Sequence, residues 1–149
     1  MPGPRWLPTL ALSGALTLAA CGSSGDTSPT VAPLDLDGVY EIGSWSGPDA
    51  PSGSTSDGYA QVDLDARFGA LTVATDCGVQ LGSYSLLADG RAGVTVAGSR
   101  PIPCTAGAED RQQRLLDTLG RIDAWSGGDG RLTLTSGAGD ELVLVRPVG

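Results

Sequence analysis

Short segments in which apolar and polar residues alternate dominate the chain between residues 39 and 145. The clearest is AQVDLD at 60–65, and LTVAT at 71–75 repeats the pattern. Successive side chains of a strand point to opposite faces of a sheet, so this period of two predicts half-buried strands. A further strand is predicted from Val39 to Trp45, after the turn pair Asp37-Gly38. The alternation therefore favours an antiparallel sheet.

Two hairpins are predicted in the second half of the chain. Asp89-Gly90 separates the apolar runs at 84–87 and 94–96, and this dipeptide is a strong hairpin signal. The Gly-rich stretch at 136–140 separates 132–134 from 141–145. Because the last run, ELVLV, is apolar on both faces, we expect it to lie in the middle of the sheet.

One segment has the pattern of a helix. Residues 109–119 are good helix formers with acidic residues in the first turn, and Gly120 is a plausible residue just after the helix. Apolar residues occur at 108, 115, 116, 119 and 122, which predicts one buried face. We therefore predict an α+β fold, mainly antiparallel β. It has a strongly curved or barrel-like sheet of about 7–8 short strands, with the helix packed across its open end.

The amino terminus contains an apolar run that ends at a cysteine. The run covers about 15 residues, 6–20, whereas a membrane-spanning helix needs about 20. Its length is that of a signal-peptide core. Residues 18–21, Leu-Ala-Ala-Cys, have the form of a bacterial lipobox. This predicts cleavage after Ala20 and a diacylglyceryl group on Cys21; the alternative is a chance cysteine beside an ordinary cleavage site.

Two acyl chains give stable membrane anchoring, whereas one is marginal. Residues 21–33 are rich in Gly, Ser, Thr and Pro and predict a flexible tether, which leaves residues 34–149 as one folded domain. The predicted location is the extracytoplasmic side of the cell membrane.

The charge of the chain restricts its partners. Without residues 1–20, 8 Arg face 17 acidic residues, a formal charge of −9, and the sequence contains no Lys and no His. Such a polyanion is repelled by nucleic acid and by anionic lipid. We therefore expect no nucleic-acid partner, and membrane contact through the lipid on Cys21.

The composition also argues against most catalytic chemistry. Zinc sites and activated Ser or Cys nucleophiles usually depend on His, which this chain lacks. The remaining candidates are two pairs of carboxylates, Asp63 with Asp65 and Asp35 with Asp37, which alternate with apolar residues and should face solvent. We predict no metal, no cofactor and no enzyme activity.

A Cys21 committed to lipid leaves Cys77 and Cys104, an even pair in an exported domain. Disulfides persist outside the cytoplasm, so we predict a bond between them. Two buried free thiols are the alternative.

The segment SGPDAPSGSTSDG at 46–58 is longer than the usual connection of about 4–6 residues. It is bracketed by Trp45 and Tyr59, which would form an anchoring patch for a partner if they faced outward. Trp125 could join them or could belong to the core. The alternative is a flexible insertion without a role.

The order of these features resembles the META domain of HslJ-like lipoproteins over residues 34–146. The runs that carry the resemblance are DCGVQLGSYSLLADG, PIPC, EDRQQRLLDTLGRIDAW and GDGRLTLTSGAGDELVLVR, together with Leu36-Asp37-Gly38 before the first strand. The matching positions are Cys77, Gly82, Tyr84, Cys104, Leu115, Leu119, Leu132 and Leu134. The family's Gly-Cys-Asn is Asp76-Cys77-Gly78 here, so the asparagine is absent.

The resemblance implies a non-catalytic envelope lipoprotein that binds a protein partner or helps the envelope to tolerate stress. The alternative is a small-ligand carrier, or a hydrolase with an acidic pocket. A carrier should contain a spacious apolar cavity inside the sheet.

Overall fold

The computed structural model describes residues 36–52 and 59–149. The predicted signal peptide (1–20), the lipidation site Cys21, the tether (21–33), Asp35 and residues 53–58 of the long loop lie outside the described residues.

Within this part of the chain the secondary structure consists of eight strands and one helix. The strands are β1 (Gly38–Ser46), β2 (Ala60–Asp65), β3 (Ala70–Thr75), β4 (Gly78–Leu86), β5 (Ala92–Pro101), β6 (Ala124–Gly128), β7 (Arg131–Thr135) and β8 (Glu141–Val145). The helix, α1, spans Ala106–Arg121 between β5 and β6.

All eight strands form one antiparallel sheet in the order β5-β4-β3-β2-β1-β8-β7-β6. The two edge strands, β5 and β6, are consecutive in sequence and are joined through α1. A bridge between Arg91 and Ala124 brings the beginnings of the two edges together, so the sheet curls into a half-barrel. The helix packs across the opening, and the predicted fold is confirmed.

The alternating pattern places apolar residues inside the curl. Tyr40, Val62 and Val73 are cross-strand neighbours on β1, β2 and β3, and all three are buried. Strand β8 lies between β1 and β7, as expected for a strand that is apolar on both faces. Leu142 and Leu144 belong to the core and Val143 is buried on the opposite face.

The helix is longer than predicted at both ends. Gly120 lies inside α1, so the prediction that the helix ends before it is wrong. The Ile122 N–H donates to the Leu119 carbonyl at 3.2 Å, and the Ile122 side chain is buried in the core. Glycine costs about 1 kcal/mol in a helix, which tertiary packing of this kind overcomes.

The interior of the half-barrel is filled. Leu115 and Leu119 of α1 are fully buried against the inner face of the sheet. An apolar cavity of about 10 Å³ remains among Val62, Leu71, Leu119 and their neighbours. A cavity of that size holds about one water molecule.

The predicted disulfide between Cys77 and Cys104 is present. Cys77 lies in the turn between β3 and β4, and Cys104 lies in the segment that leads into α1. Gly78, which follows Cys77, has φ +121°, and a Cβ there would lie 2.2 Å from the Arg100 carbonyl oxygen. Only glycine fits, so the asparagine of the META pattern is incompatible with this turn.

Reduction of the Cys77–Cys104 bond should lower the free energy of unfolding by about 3.5 kcal/mol, because the bond closes a loop over a separation of 27 residues in the unfolded chain. The measurement is urea unfolding of the full chain with and without a reductant. In the control variant, with Cys77→Ser and Cys104→Ser, the urea midpoint should not respond to the reductant. Equal midpoints for the oxidised and reduced wild-type chain would contradict the prediction.

Candidate functional site

A cleft of about 630 Å³ runs between α1 and the edge strand β5. Its walls are residues 94–99 of β5, the helix residues Gln113, Leu116, Asp117 and Gly120, and Gln80 of β4. Ligand sites in proteins usually occupy about 300–1,000 Å³. A smaller depression of about 480 Å³ lies beside the disulfide.

Strand β5 offers the cleft a free main-chain edge. The Ala92 N–H donates to the Asp123 carbonyl at 2.9 Å, so the main chain of Ala92 faces away from β4. Main-chain groups alternate between the two edges of a strand, which places the N–H and C=O of Val94 and Val96 on the same free edge. No described residue hydrogen-bonds to them there.

The usable part of this edge is short because β5 is bulged. Leu81 is opposite Gly98 and Gly82 is opposite Val96, so Ala97 is the extra residue. A Cβ on Gly82 would lie 2.2 Å from the Thr95 carbonyl oxygen, so the bulge requires glycine here. Bulges limit the pairing of exposed edges, and Pro101, which has no N–H, ends the strand.

Gln80 is a polar residue at an inward-facing position. It lies opposite Val73 on one side and Ser99 on the other, at the end of the row that begins with Tyr40. The residue is only 6% exposed, but its amide opens onto the cleft and has no hydrogen-bond partner among the described residues. This makes Gln80 a candidate contact for a ligand.

The amino-terminal half of α1 is attached to the β3–β4 turn. The Thr105 hydroxyl accepts a hydrogen bond from the Ala108 N–H at 3.2 Å and caps the helix. About two turns after Thr105, the Gln112 side chain accepts a hydrogen bond from the Thr75 hydroxyl. With the disulfide at Cys104, these contacts fix the start of the helix.

The carboxyl-terminal end of α1 is held by a cluster of charged side chains. Arg121 donates to both carboxylate oxygens of Asp140 at 3.0 Å and to Asp49 at 2.6 Å. The Ser136 hydroxyl donates to Asp140 at 2.6 Å. The Asp140 side chain is completely buried, whereas those of Arg121 and Asp49 are about one-third exposed.

The electrostatics of this cluster favour the charged form of Asp140. Its pKa is lowered by the hydrogen bond from Arg121 and, to a smaller degree, by the one from Ser136, although burial acts in the opposite direction. The helix is therefore fixed at both ends, and the cleft lies beside the part between them.

The prediction of an exposed aromatic patch at Trp45 and Tyr59 is wrong. Trp45 is buried in the core. A bulge at Gly43 shifts the register between Ile42 and Ser44, so Trp45 faces inward with Tyr40 and Ile42. Tyr59 is half-buried against the core, and Arg111 stacks over its ring at 5.0 Å. Burial raises the pKa of Tyr59 to about 12.

The indole N–H of Trp45 and the hydroxyl of Tyr59 are buried and have no hydrogen-bond partner among residues 36–52 and 59–149. Trp125 is also half-buried against the core, and its indole donates to the Leu87 carbonyl at 2.7 Å. These rings therefore do not form an exposed anchor.

The acidic residues considered as a catalytic pair lie away from the cleft. Asp63 is exposed on the outer face of β2, and Asp65 accepts from the Arg67 N–H at 3.0 Å on the same face. Asp37 is exposed and accepts from the Ala66 N–H at 2.6 Å. In residues 36–52 and 59–149, no three acidic or Cys side chains are grouped as metal ligands.

In the same part of the chain, the helix is too short and too polar to cross a membrane.

Gln80 and Asp140 are not among the residues that the sequence pattern singles out. Gln80 had a visible signal, since it stands at an inward-facing position of β4 where an apolar residue is expected. Asp140 gave none, because it lies in a Gly-rich turn and only the fold places it beside Arg121.

No protein-family model matches the sequence, and no curated protein does. Two solved structures have a similar fold. A protein from Burkholderia xenovorans, solved by NMR, is 18% identical with a TM-score of 0.58, covering 98% of this chain and 99% of that one. A DUF4847 family protein from Bacteroides vulgatus is 12% identical with a TM-score of 0.55, covering 75% and 94%. At these identities the likeness establishes the fold alone.

The substitution Asp140→Asn should lower the free energy of unfolding by about 2–3 kcal/mol, because charge-assisted hydrogen bonds to a buried group are lost. Asp49→Asn is the matched control and should cost less than about 1 kcal/mol, since that carboxylate is partly exposed. Both values follow from urea unfolding at pH 7.

The same pair of variants gives a pH test. Because the folded-state pKa of Asp140 lies below its ordinary value of 3.8, its contribution to stability is present above about pH 4 and is lost as the pH falls through the folded-state pKa. The stability difference between wild type and Asp140→Asn should therefore shrink in acid. A difference that stays constant from pH 7 to pH 2.5 would contradict this role of Asp140.

Proposed function

We propose that this chain is a lipid-anchored protein of the cell envelope whose META-like domain binds a segment of a partner protein in the cleft between α1 and β5. The observation that carries the proposal is the combination of a filled core with an open cleft that exposes unpaired main-chain groups and the Gln80 amide. In this proposal the cleft offers hydrogen-bonding groups to the partner, and the filled core stabilises the fold.

The resemblance to META domains supports the envelope role. Several of its landmark residues have structural roles in this fold. Cys77 and Cys104 are bonded, Gly82 permits the bulge, and four leucines belong to the core: Leu115, Leu119, Leu132 and Leu134. A tolerance of envelope stress, as the resemblance implies, would then be a consequence of partner binding.

The carrier alternative has less support. A carrier holds its ligand inside the sheet, and the apolar cavity there is about 10 Å³. The hydrolase alternative needs paired carboxylates at a pocket. The cleft is lined by a single carboxylate among the described residues, Asp117, which accepts a hydrogen bond from Gln113 at 2.9 Å.

The anchor is tested by Cys21→Ser. The wild-type protein should partition into detergent and carry the mass of a diacylglyceryl group on its first residue, Cys21. The variant should move to the aqueous phase without that mass, because the acyl chains supply the membrane affinity. Detergent phase partitioning of the proteins extracted from cells measures the membrane affinity, and mass spectrometry measures the mass of the first residue. If the variant partitions and weighs like the wild type apart from the substitution, Cys21 is not the lipid site.

The binding site is tested by crosslinking in intact cells. A photo-crosslinking amino acid in place of Gln113 lies on the cleft wall, and the same amino acid in place of Gln61 lies exposed on the outer face of β2. A defined protein adduct should form from position 113 and not from position 61. Adducts that are absent from both positions, or equal at both, would contradict a partner site in the cleft.

A further inference from the structure

We propose that the cleft takes its partner as an added β-strand: a short, extended, uncharged or basic segment pairs with the free edge of β5 under α1, and the Gln80 amide contacts it. This inference rests on the proposed function, since it names the chemical class of the segment that the cleft binds.

The free edge of β5 supplies the main recognition. By alternation from Ala92, the N–H and C=O groups of Val94 and Val96 face the free edge that lines the cleft, and no hydrogen bond from a described residue outside the β4–β5 ladder satisfies them. An extended peptide satisfies such an edge with its own main chain, which is independent of its sequence. The bulge at Ala97 interrupts the free edge, and Pro101 ends the strand. Pairing is therefore restricted to a few residues, so the segment is short.

Gln80 supplies a second, independent indication of a ligand. An amide carries donors and an acceptor. The Gln80 residue is 6% exposed and lines the cleft, and its amide has no described partner. A strand laid along Val94–Ser99 passes Ser99, which is opposite Gln80 in the sheet. Gln80 is two strand spacings, about 9.5 Å, from the added strand, so its amide contacts a side chain on the cleft-facing side of that strand.

Charge restricts the composition of the segment. Asp117 is the one ionisable residue among those described in the cleft lining, and the chain without residues 1–20 carries a formal charge of −9 (8 Arg against 17 acidic residues). An acidic segment would be repelled, and a neutral or basic one is attracted. The half-buried Val94 and Val96 and the helix residue Leu116 offer apolar contacts to every second side chain of the strand.

The experiment uses the full chain with the segment Lys-Val-Thr-Val-Thr-Lys fused after Gly149 through a Gly/Ser linker of 24 residues. Such a linker spans roughly 24–29 Å and raises the local concentration of the segment to about millimolar. The readout is hydrogen exchange of the Val94 and Val96 amides by NMR. Both should exchange about tenfold more slowly than in a fusion that carries the linker alone.

A proline scan of the fused segment tests the strand geometry. Alternate N–H groups of an added strand face β5, so proline at one set of alternate positions should abolish the protection and proline at the other set should retain it. Gln80→Leu, which keeps an apolar side chain of similar size, should reduce the protection about fivefold through loss of its hydrogen bonds. Gln61→Leu on the outer face of β2 is the matched control and should have no effect.

Three results would overturn the inference. The first is exchange of Val94 and Val96 that equals the linker-only fusion. The second is protection that prolines at either set of positions abolish equally. The third is protection of these amides already in the unfused chain. If that protection depends on protein concentration, the occupant is a second copy of the chain. If it is removed by changing residues 22–33 to Gly and Ser, the occupant is the chain's own tether. If position 113 still crosslinks to a protein in cells, the proposed function stands without the strand geometry.

Discussion

The burial of one face of α1 is the interaction on which the rest of the structure depends. The half-barrel has an open side between β5 and β6, closed at one end by the bridge between Arg91 and Ala124. Leu115 and Leu119 enter the curl from that side and are fully buried. Each such leucine contributes about 1.5–3 kcal/mol relative to exposure, so the two residues supply a substantial part of a typical domain stability of about 5–15 kcal/mol. Without the helix the inner face of the sheet would be in contact with water.

The attachment of α1 at its two ends explains why a cleft persists beside its middle. The disulfide and the Thr75–Gln112 hydrogen bond hold the first half, and Arg121 holds the end through Asp140. Between these points the helix side that faces β5 presents Gln113, Leu116, Asp117 and Gly120. Gly120 has no side chain to fill the gap, and among the described residues no atom outside its own stretch of helix lies within 4 Å of where its Cβ would be. The geometry of the ends therefore sets the width of the cleft.

The fold was predictable from the sequence because its signals are local. The period of two at 60–65 and 71–75, the Asp89-Gly90 turn and the two-faced apolar strand at 141–145 each depend on neighbouring residues only. The failures share a different cause. The anchoring patch required Trp45 to face outward, and the bulge at Gly43 turns it inward with Tyr40 and Ile42. Gly120 was expected to end the helix, and the buried Ile122 extends it. The Arg121–Asp140 contact joins residues 19 positions apart, which no local pattern predicts.

The cleft cannot close on itself without a loss of hydrogen bonding. Movement of α1 onto β5 would remove water from the N–H and C=O groups of Val94 and Val96 and from the Gln80 amide, and the helix side of the cleft has few groups to replace that water. An unsatisfied buried polar group costs about 1–3 kcal/mol, so closure would lose several kcal/mol in exchange for the burial of Leu116 and a few methyl groups. A bound segment avoids this cost because its own main chain provides the missing donors and acceptors. The same polar groups that keep the empty cleft open thus favour an occupant with a peptide backbone.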